Sequence, residues 1–153
     1  MVSIHDRPPE VEERLIPRHW ESDLIKGAQN RSAVGTLVER TTLFTVLSRM
    51  DNASADAALS GFTHVLNRIE APRRLSLTYD QGREMAAHQR LTDATGVTVY
   101  FADPHSPWQR GINENTNGLL RQCRSCGRQT SPIAGTILHR SHVPLQEWFW
   151  AAY

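Results

Sequence analysis

The sequence predicts an α/β fold in which helices flank a mixed β-sheet, and two observations support this prediction. Three β-rich runs follow one another at residues 19–25, 33–39 and 43–50. After these strands, runs with helical spacing alternate with short β-rich runs up to about residue 122. Sequential antiparallel strands followed by helix–strand units are typical of a mixed sheet with helices on its faces.

Length and composition favour a single folded domain. The chain has 153 residues, of which 39% are hydrophobic and 22% are charged, enough for an ordinary core. No apolar run approaches the roughly 20 residues that cross a bilayer, and the polar N-terminus does not resemble a signal peptide. We therefore expect a cytoplasmic protein. The net charge of +1 decides little about nucleic-acid binding, because metal-binding carboxylates count as negative until a cation is bound.

The first half of the chain is predicted to supply three antiparallel strands. Residues 1–18 contain several prolines and no clear period, and we interpret them as an extended lead-in. The core, residues 19–122, begins with the strand at 19–25. The strands at 33–39 and 43–50 follow it and are joined by a short turn.

The second half is predicted to alternate helices with strands. Residues 54–69 place apolar side chains at helical spacing, and Ser54 is a suitable N-cap. The next strand, at 75–79, leads directly into Asp80. This arrangement places an acidic side chain where the end of a strand opens onto a crevice.

The last part of the core is predicted to contain two helices separated by a strand. A helix at 84–95 stops at Gly96, a common C-terminal cap. A strand at 97–101 and a loop at 104–107 follow, and a final helix continues to about residue 122. At the start of this helix, Ser106, Pro107 and Gln109 match the pattern of a capping box.

Three acidic residues lie where metal-dependent chemistry would need them. Asp23 stands within the first strand among apolar neighbours, where a carboxylate is costly unless a cation or hydrogen bonds compensate it. Asp80 ends the fourth strand and Glu114 lies on the last helix. If the fold brings them together, they can bind two Mg²⁺ ions, with Asp23 bridging both. Two such ions about 4 Å apart can activate an attacking oxygen and stabilise a leaving oxygen in phosphoryl transfer.

Other acids compete with this trio, and the residues by themselves do not rank them. These competitors also lie near the ends of predicted elements: Glu21, Glu39, Glu84 and Asp103. A solvated turn residue or a helix cap is the ordinary alternative for any one of them.

Residues 123–153 differ in character from the core and suggest a metal site. The spacing Cys123-x2-Cys126-x12-His139-x2-His142 approaches that of a Cys2His2 zinc finger, and tetrahedral zinc accepts both ligand types. The last two histidines are closer than the usual spacing of roughly three to five residues. We therefore do not expect zinc at Cys123 and Cys126.

Three motifs resemble the insertion-sequence-30 family of bacterial transposases. They are RHWESDLI at residues 18–25, LTYDQGREM at 77–85 and YFADPHSPWQRGINENTNG at 100–118. They occur in the family's order, with 33 residues between Asp80 and Glu114. The resemblance covers about residues 1–122. The pattern Pro107-x-x-x-Gly111-x-x-Glu114 is more distantly similar to a segment of retroviral integrases.

The resemblance implies an RNase H-like fold with a catalytic, metal-binding triad of Asp23, Asp80 and Glu114. It implies hydrolysis of DNA at transposon ends, then attack of the freed 3′-hydroxyl on target DNA, with Mg²⁺ or Mn²⁺. It also implies a bacterial cytoplasmic protein that works as a homo-oligomer. Ser22 replaces the family's usual Gly and Ile112 its frequent Thr, changes that could shift the geometry without removing a ligand.

The tail instead resembles transposases of the insertion-sequence-1595 family. The similar segments are residues 123–129, 134–137 and 144–151, which resemble part of a zinc ribbon, a linker and a helix. We therefore expect a truncated core fused to a foreign tail, without the family's helix-turn-helix region. Two alternatives stay open: an inactive fused transposase remnant, and a small zinc-dependent DNA-binding module.

Overall fold

The computed structural model describes residues 1–26 and 32–120, with the backbone alone for residues 119 and 120. Met1–Asn117 is the first of two compact units in the chain. The strands are β1 (Val2–Ser3), β2 (His19–Lys26), β3 (Ala33–Glu39), β4 (Thr45–Met50), β5 (Ser76–Tyr79) and β6 (Thr98–Phe101). The helices are α1 (Glu10–Glu13), α2 (Ala55–Leu66), α3 (His88–Thr95) and α4 (Gly111–Leu120).

The described strands form one mixed sheet in the order β1-β6-β5-β2-β3-β4. β2, β3 and β4 pair antiparallel, whereas β5 is parallel to β2, β6 to β5 and β1 to β6. Parallel neighbours need long crossover connections, which here contain α2 and α3. The predicted mixed sheet with helices on its faces is confirmed.

One face of the sheet is apolar and packs against helices. Side chains two apart on a strand share a face, so β2 and β5 contribute alternate residues to one buried cluster. Its members include Trp20, Leu24, Leu37, Leu77 and Tyr79 from the sheet, Phe62 and Leu66 from α2, and Leu91 from α3. α2 lies close to β3 at Gly35, where an added Cβ would come within 2.7 Å of the Phe62 ring. A side chain at this position would push α2 away from the sheet.

The opposite face of the sheet is polar, because β2 presents His19, Glu21 and Asp23 there at a spacing of two. The lead-in covers one end of this face. Arg7 reaches down to it and donates from NH1 to the Thr78 hydroxyl of β5 at 3.0 Å. α4 covers the other end. The lead-in and α4 together therefore enclose the ionisable side chains on this face of the sheet.

The lead-in is more structured than the sequence predicts. β1 extends the sheet beyond β6, and α1 follows a 3-10 turn at Ile4–Asp6. Ile4 and Val11 are buried. A strand of two residues and a helix of four are too short to show a period, which explains why the sequence suggested only an extended segment.

The turn between β3 and β4 is longer than predicted, so β4 begins at Thr45 rather than at residue 43. The Glu39 carboxylate accepts hydrogen bonds from the backbone amides of Thr41 and Thr42 at 3.0 and 2.7 Å. Leu43 then adopts a left-handed conformation with φ of 61°. An apolar, β-prone residue therefore lies in the turn because an acidic side chain organises it.

The helix ends agree with the sequence in two places and differ in a third. Ser54 caps α2 by accepting from the Ala57 amide at 3.3 Å, and Gly96 ends α3 with φ of 75°. The helix predicted from residue 84 is instead a 3-10 turn at Arg83–Met85 followed by α3. No helix in the described part of the chain is long and apolar enough to cross a membrane.

Candidate active site

Asp23 lies in the middle of β2, opposite Thr36 of β3. Its two carboxylate oxygens have different partners. Oδ1 accepts from the Leu24 amide at 2.7 Å, and Oδ2 accepts from the Asn117 side-chain amide of α4 at 3.0 Å. Burial raises the pKa of the Asp23 carboxyl, and the nearby Arg110 guanidinium opposes part of this rise. A carboxylate in this position is therefore held in place but poorly solvated.

Asp80 reaches the same place from β5, the parallel neighbour of β2. Glu21 is in register with Thr78, so Asp23 and Asp80 both lie two residues further along their strands, on the polar side. Asp80 is partly exposed, and its Oδ1 accepts from the Gly82 amide at 3.1 Å. The other carboxylate oxygen of Asp80, Oδ2, is directed away from the loop that follows β5.

Glu114 lies one turn into α4 and is about one-third exposed. Its Oε1 is 3.3 Å from NH2 of Arg110, four residues earlier in the chain. A spacing of four places two side chains on the same side of a helical segment, so Arg110 and Glu114 both face β2 and the end of β5.

Arg110 is the residue that all three acids share. Its NH1 lies 3.8 Å from Asp23 Oδ2, and its NH2 lies 3.5 Å from Asp80 Oδ2 as well as contacting Glu114. NH1 also donates to the Ser22 carbonyl at 3.1 Å. The Arg110 side chain is only 6% exposed. One cation faces three carboxylates, so the cluster carries surplus negative charge whenever all three are ionised.

Two asparagines fix α4 on the sheet, and both are fully buried. The Asn113 side-chain amide donates to the backbone carbonyls of Glu21 and Thr36 at 3.1 and 3.3 Å. The Thr36 hydroxyl in turn lies within hydrogen-bond distance of the side-chain oxygens of Asn113 and Asn117. This network sets the height of α4, and so of Glu114, above β2.

The loop before α4 differs from the predicted capping box. The Gln109 side chain binds Asp103, accepting from its amide and donating to its carboxylate, both at 2.8 Å. The Ser106 hydroxyl lies 3.4 Å from the Pro104 carbonyl. A 3-10 turn at Pro107–Arg110 therefore leads into α4, and Trp108 on it is 74% exposed.

The competing acids are placed elsewhere and already have partners. Glu21 pairs with Arg40 at 3.0 Å and accepts from the Asn113 backbone amide of α4, also at 3.0 Å. Glu39 binds its own turn, Glu84 lies 3.5 Å from Lys26, and Asp103 binds Gln109 and His5. Of the acids singled out in the sequence, the structure brings together Asp23, Asp80 and Glu114 around one guanidinium. Sequence reasoning missed the roles of Arg110 and Asn113, for which the only signal was their spacing of four and one from Glu114.

An open groove of about 670 Å³ runs beside Asp80. Two cationic residues, Lys26 and Arg83, line it together with polar groups at the start of α2. Phosphate groups of a polynucleotide are suitable ligands for such side chains. Asp80 and Glu84 also line the groove, and Glu84 pairs with Lys26 at 3.5 Å, so the cationic and acidic side chains of the groove balance.

The donor chemistry of the cluster suits a hard divalent cation, since its ligands are all carboxylate oxygens. In residues 1–26 and 32–120, no three His, Cys, Asp or Glu side chains are close enough to hold a metal ion in this conformation. The guanidinium of Arg110 contacts the three carboxylates instead. Cys123, Cys126, His139 and His142, the predicted zinc-finger positions, lie outside the described residues.

Comparison with known sequences finds one matching domain family and several related insertion-sequence transposases. The integrase core domain family matches residues 16–107. The transposase for insertion sequence element IS1086 of Cupriavidus metallidurans is 66% identical over 122 residues, 80% of this chain and 36% of that protein. Transposase InsI for insertion sequence element IS30A of Escherichia coli is 44% identical over 119 residues, 78% of this chain and 31% of that protein. The chain thus spans about a third of the length of these relatives.

Solved structures share the fold. The simian T-cell lymphotropic virus intasome, in complex with PP2A regulatory subunit B56 gamma, has a TM-score of 0.58 and 19% identity. This match covers 69% of the present chain and 39% of the other. The catalytic core domain of BIV integrase has a TM-score of 0.55 and 19% identity, covering 69% and 67% of the two chains. The predicted RNase H-like fold is therefore confirmed.

Proposed function

Since this chain belongs to the integrase core domain family and carries a DDE-type transposase catalytic domain, we propose that Asp23, Asp80 and Glu114 are its catalytic carboxylates. The observation that carries the proposal is their convergence on one guanidinium from a strand, a strand end and a helix. Acids so far apart in sequence meet only if the fold brings them together. Their surplus negative charge is the property that a cation site needs.

The proposed reaction is polynucleotidyl transfer on DNA in two steps. Water attacks the phosphorus at a transposon end and breaks its bond to the 3′ oxygen, which leaves as a 3′-hydroxyl. The flanking DNA keeps the phosphate. The freed 3′ oxygen then attacks a phosphorus in target DNA and forms a new bond, while a target 3′ oxygen leaves as a hydroxyl.

Asp23, Asp80 and Glu114 would hold two Mg²⁺ or Mn²⁺ ions for this chemistry. When bound, such ions lower the pKa of an attacking hydroxyl or water and stabilise the leaving oxygen. The chain itself orients the ligands. The Leu24 and Asn117 amides fix Asp23, the Gly82 amide fixes Asp80, and the asparagine network fixes α4.

The groove beside Asp80 is the proposed path for DNA, because Arg83, and Lys26 once it leaves Glu84, can neutralise backbone phosphates along it. DNA at transposon ends and in the target is therefore the proposed partner. A bacterial cytoplasmic location and a homo-oligomer that pairs two ends are part of the same proposal, supported by the kind of relative that the chain matches.

The proposed organisation is a lead-in at residues 1–18, a catalytic core at 19–122 and a tail at 123–153. The likeness of the tail to insertion-sequence-1595 transposases, and the fusion it implies, belong to this proposal. Within it, Cys123 and Cys126 are not assigned a zinc ion. The alternatives are an inactive remnant with the same fold and a zinc-dependent DNA-binding module.

A strand-transfer assay with Mn²⁺ tests the proposal. One substrate is transposon-end DNA, and a second is a branched DNA that already joins an end to a target, since reversal of joining needs no recognition of free ends. We expect wild-type chain to act on at least the branched substrate and Asp80→Ala to lose this activity. Asp56→Ala is the matched control, because Asp56 is exposed on α2 and pairs only loosely with Arg90 at 3.7 Å.

The possible results separate the alternatives. Activity that survives Asp80→Ala would show that the carboxylate assignment is wrong. A folded wild-type chain that is inactive on both substrates would favour the inactive remnant. DNA binding that depends on zinc and persists in the Asp23→Ala and Asp80→Ala variants would favour the binding module.

A further inference from the structure

We propose that Arg110 is a positioning residue whose guanidinium replaces the metal ions in the metal-free core and competes with them for the same oxygens. The inference rests on the proposed function, in which Asp23, Asp80 and Glu114 bind the metal. It assigns to Arg110 a role beyond that function: it keeps the ligands assembled before the metal binds, and it weakens metal binding.

The first support is which oxygens Arg110 contacts. Asp23 Oδ1 and Asp80 Oδ1 are already engaged by the amides of Leu24 and Gly82. Arg110 contacts the other oxygen of each carboxylate, Oδ2 in both cases, at 3.8 and 3.5 Å. The guanidinium therefore lies against Asp80 Oδ2, which has no hydrogen bond to its own loop, and shares Asp23 Oδ2 with the Asn117 side-chain amide, which donates to it at 3.0 Å. A metal ion that takes these oxygens must displace the guanidinium.

The second support is the charge of the cluster. Three carboxylates held around one guanidinium repel one another, and the buried position of Asp23 strengthens this repulsion because water screens it poorly. A single cation that contacts all three acids reduces this repulsion. Without either Arg110 or metal ions, we expect the acids to separate and α4 to loosen from β2.

The third support is the way Arg110 itself is held. Apart from the carboxylates, its hydrogen-bond partner among the described residues is the Ser22 carbonyl, which accepts from NH1 at 3.1 Å. Its Nε has no hydrogen-bond partner among the described residues. The acids supply all the ionic contacts of the guanidinium that the described residues show, so divalent ions that neutralise those acids remove its electrostatic partners and leave it the Ser22 carbonyl.

The test compares the full-length wild type with Arg110→Gln and Arg110→Lys. Arg90→Gln is the matched control, because Arg90 is an exposed arginine on α3 whose ion pair within residues 1–26 and 32–120 is a loose one with Asp56 at 3.7 Å. Mn²⁺ affinity is measured by titration calorimetry, and the Tm is measured in EDTA and in Mn²⁺. Circular dichroism checks that each variant is folded.

We expect Arg110→Gln to lower the Tm in EDTA, to bind Mn²⁺ at least about tenfold more tightly, and to gain more Tm from Mn²⁺ than wild type. A side chain that only packed would lower the Tm without tightening metal binding. Arg110→Lys keeps the charge but not the planar fork, so we expect intermediate affinity. Arg90→Gln should match wild type.

The outcomes distinguish this inference from the function on which it rests. If Mn²⁺ binds wild type and Asp80→Ala abolishes that binding, but Arg110→Gln and Arg110→Lys bind no more tightly, the inference is wrong and the metal site stands. If Mn²⁺ binds none of the chains, the proposed metal site is wrong, and the inference with it. If Arg110→Gln does not fold, the Arg110→Lys affinity decides.

Discussion

Two buried arginines, Arg40 and Arg110, approach the polar side of β2, and they contact acids only two residues apart. Arg40 pairs with Glu21 at 3.0 Å, and both side chains are almost completely enclosed. Arg110 lies 3.8 Å from Asp23, and the other two acids that it contacts, Asp80 and Glu114, are partly open to solvent. The same strand thus supports two ion clusters that differ in enclosure and in charge balance.

The clusters around Arg40 and Arg110 differ in net charge. Around Arg40, Glu12 links to both Arg40 and Arg7, so two acids meet two arginines and the cluster is neutral. Around Arg110, three acids meet one arginine. We call the first the closed cluster because its central pair, Glu21 and Arg40, is enclosed, although Glu12 at its margin is 60% exposed. The second is the open cluster, and its surplus negative charge is what the proposed cation site requires.

The largest expected effect comes from breaking the closed cluster. Glu21→Gln leaves Arg40 buried with less compensating charge and should lower the free energy of unfolding by about 3–5 kcal/mol, measured by urea denaturation. Adding Arg40→Met to Glu21→Gln should recover part of the loss, because the uncompensated charge is then gone.

Glu70→Gln is the control for this experiment. Glu70 pairs with Arg73 on the surface at 3.6 Å, and both side chains are mostly exposed. Its loss should change the free energy of unfolding by less than about 0.5 kcal/mol. A Glu21→Gln variant as stable as this control would contradict the structural role of the closed cluster.

A smaller effect of opposite sign is expected in the open cluster. In EDTA at neutral pH, Asp23→Asn removes one of three mutually repelling charges but keeps one acceptor oxygen for two donors, so it should change the free energy of unfolding by no more than about 1 kcal/mol, towards greater stability. Burial raises the pKa of Asp23, so its charged form is less favourable in the folded than in the unfolded chain. This penalty is present above the raised pKa and disappears as the pH falls towards 3.8.

The measurement is urea denaturation of wild type and Asp23→Asn over a series of pH values. The advantage of the variant should shrink as the pH is lowered, because wild-type Asp23 is then protonated as well. A clear loss of stability in Asp23→Asn at neutral pH would mean that the carboxylate stabilises the fold, as Glu21 does, and would remove the contrast between the clusters.

The smallest effect concerns His19, next to the closed cluster on the same face of β2. Its Nδ1 lies 2.7 Å from the Ser76 hydroxyl, and burial lowers the pKa of His19 below 6.5. The unfolded chain therefore takes up a proton first as the pH falls. The contribution of His19 is complete above pH 6.5 and decreases below it, by under about 1 kcal/mol.

Thermal unfolding on both sides of pH 6.5 checks this expectation. His19→Gln should flatten this part of the pH dependence, whereas His64→Gln, at an exposed position on α2, should keep the wild-type profile. Equal profiles for wild type and His19→Gln would show that His19 titrates alike in the folded and unfolded chain.

Much of the fold could be predicted because its signals are local. The spacing of apolar residues located β2, β3 and α2, and the N-cap at Ser54 and the C-cap at Gly96 were correct. The errors occurred where a distant or side-chain contact overrides local preference. β1 is fixed by pairing with β6, and Leu43 lies in a turn that the Glu39 carboxylate organises.

The sequence by itself determined that an acid stands within β2, another at the end of β5 and a third on α4. It did not determine which acids meet. Glu21 and Asp23 have the same charge, strand and face, and nothing local distinguishes them. Both accept a hydrogen bond from α4, but their ionic partners come from different segments far along the chain: Arg40 for Glu21, and Arg110 for Asp23. Desolvation and Coulomb energies depend on distances in space, and only the tertiary structure sets those distances.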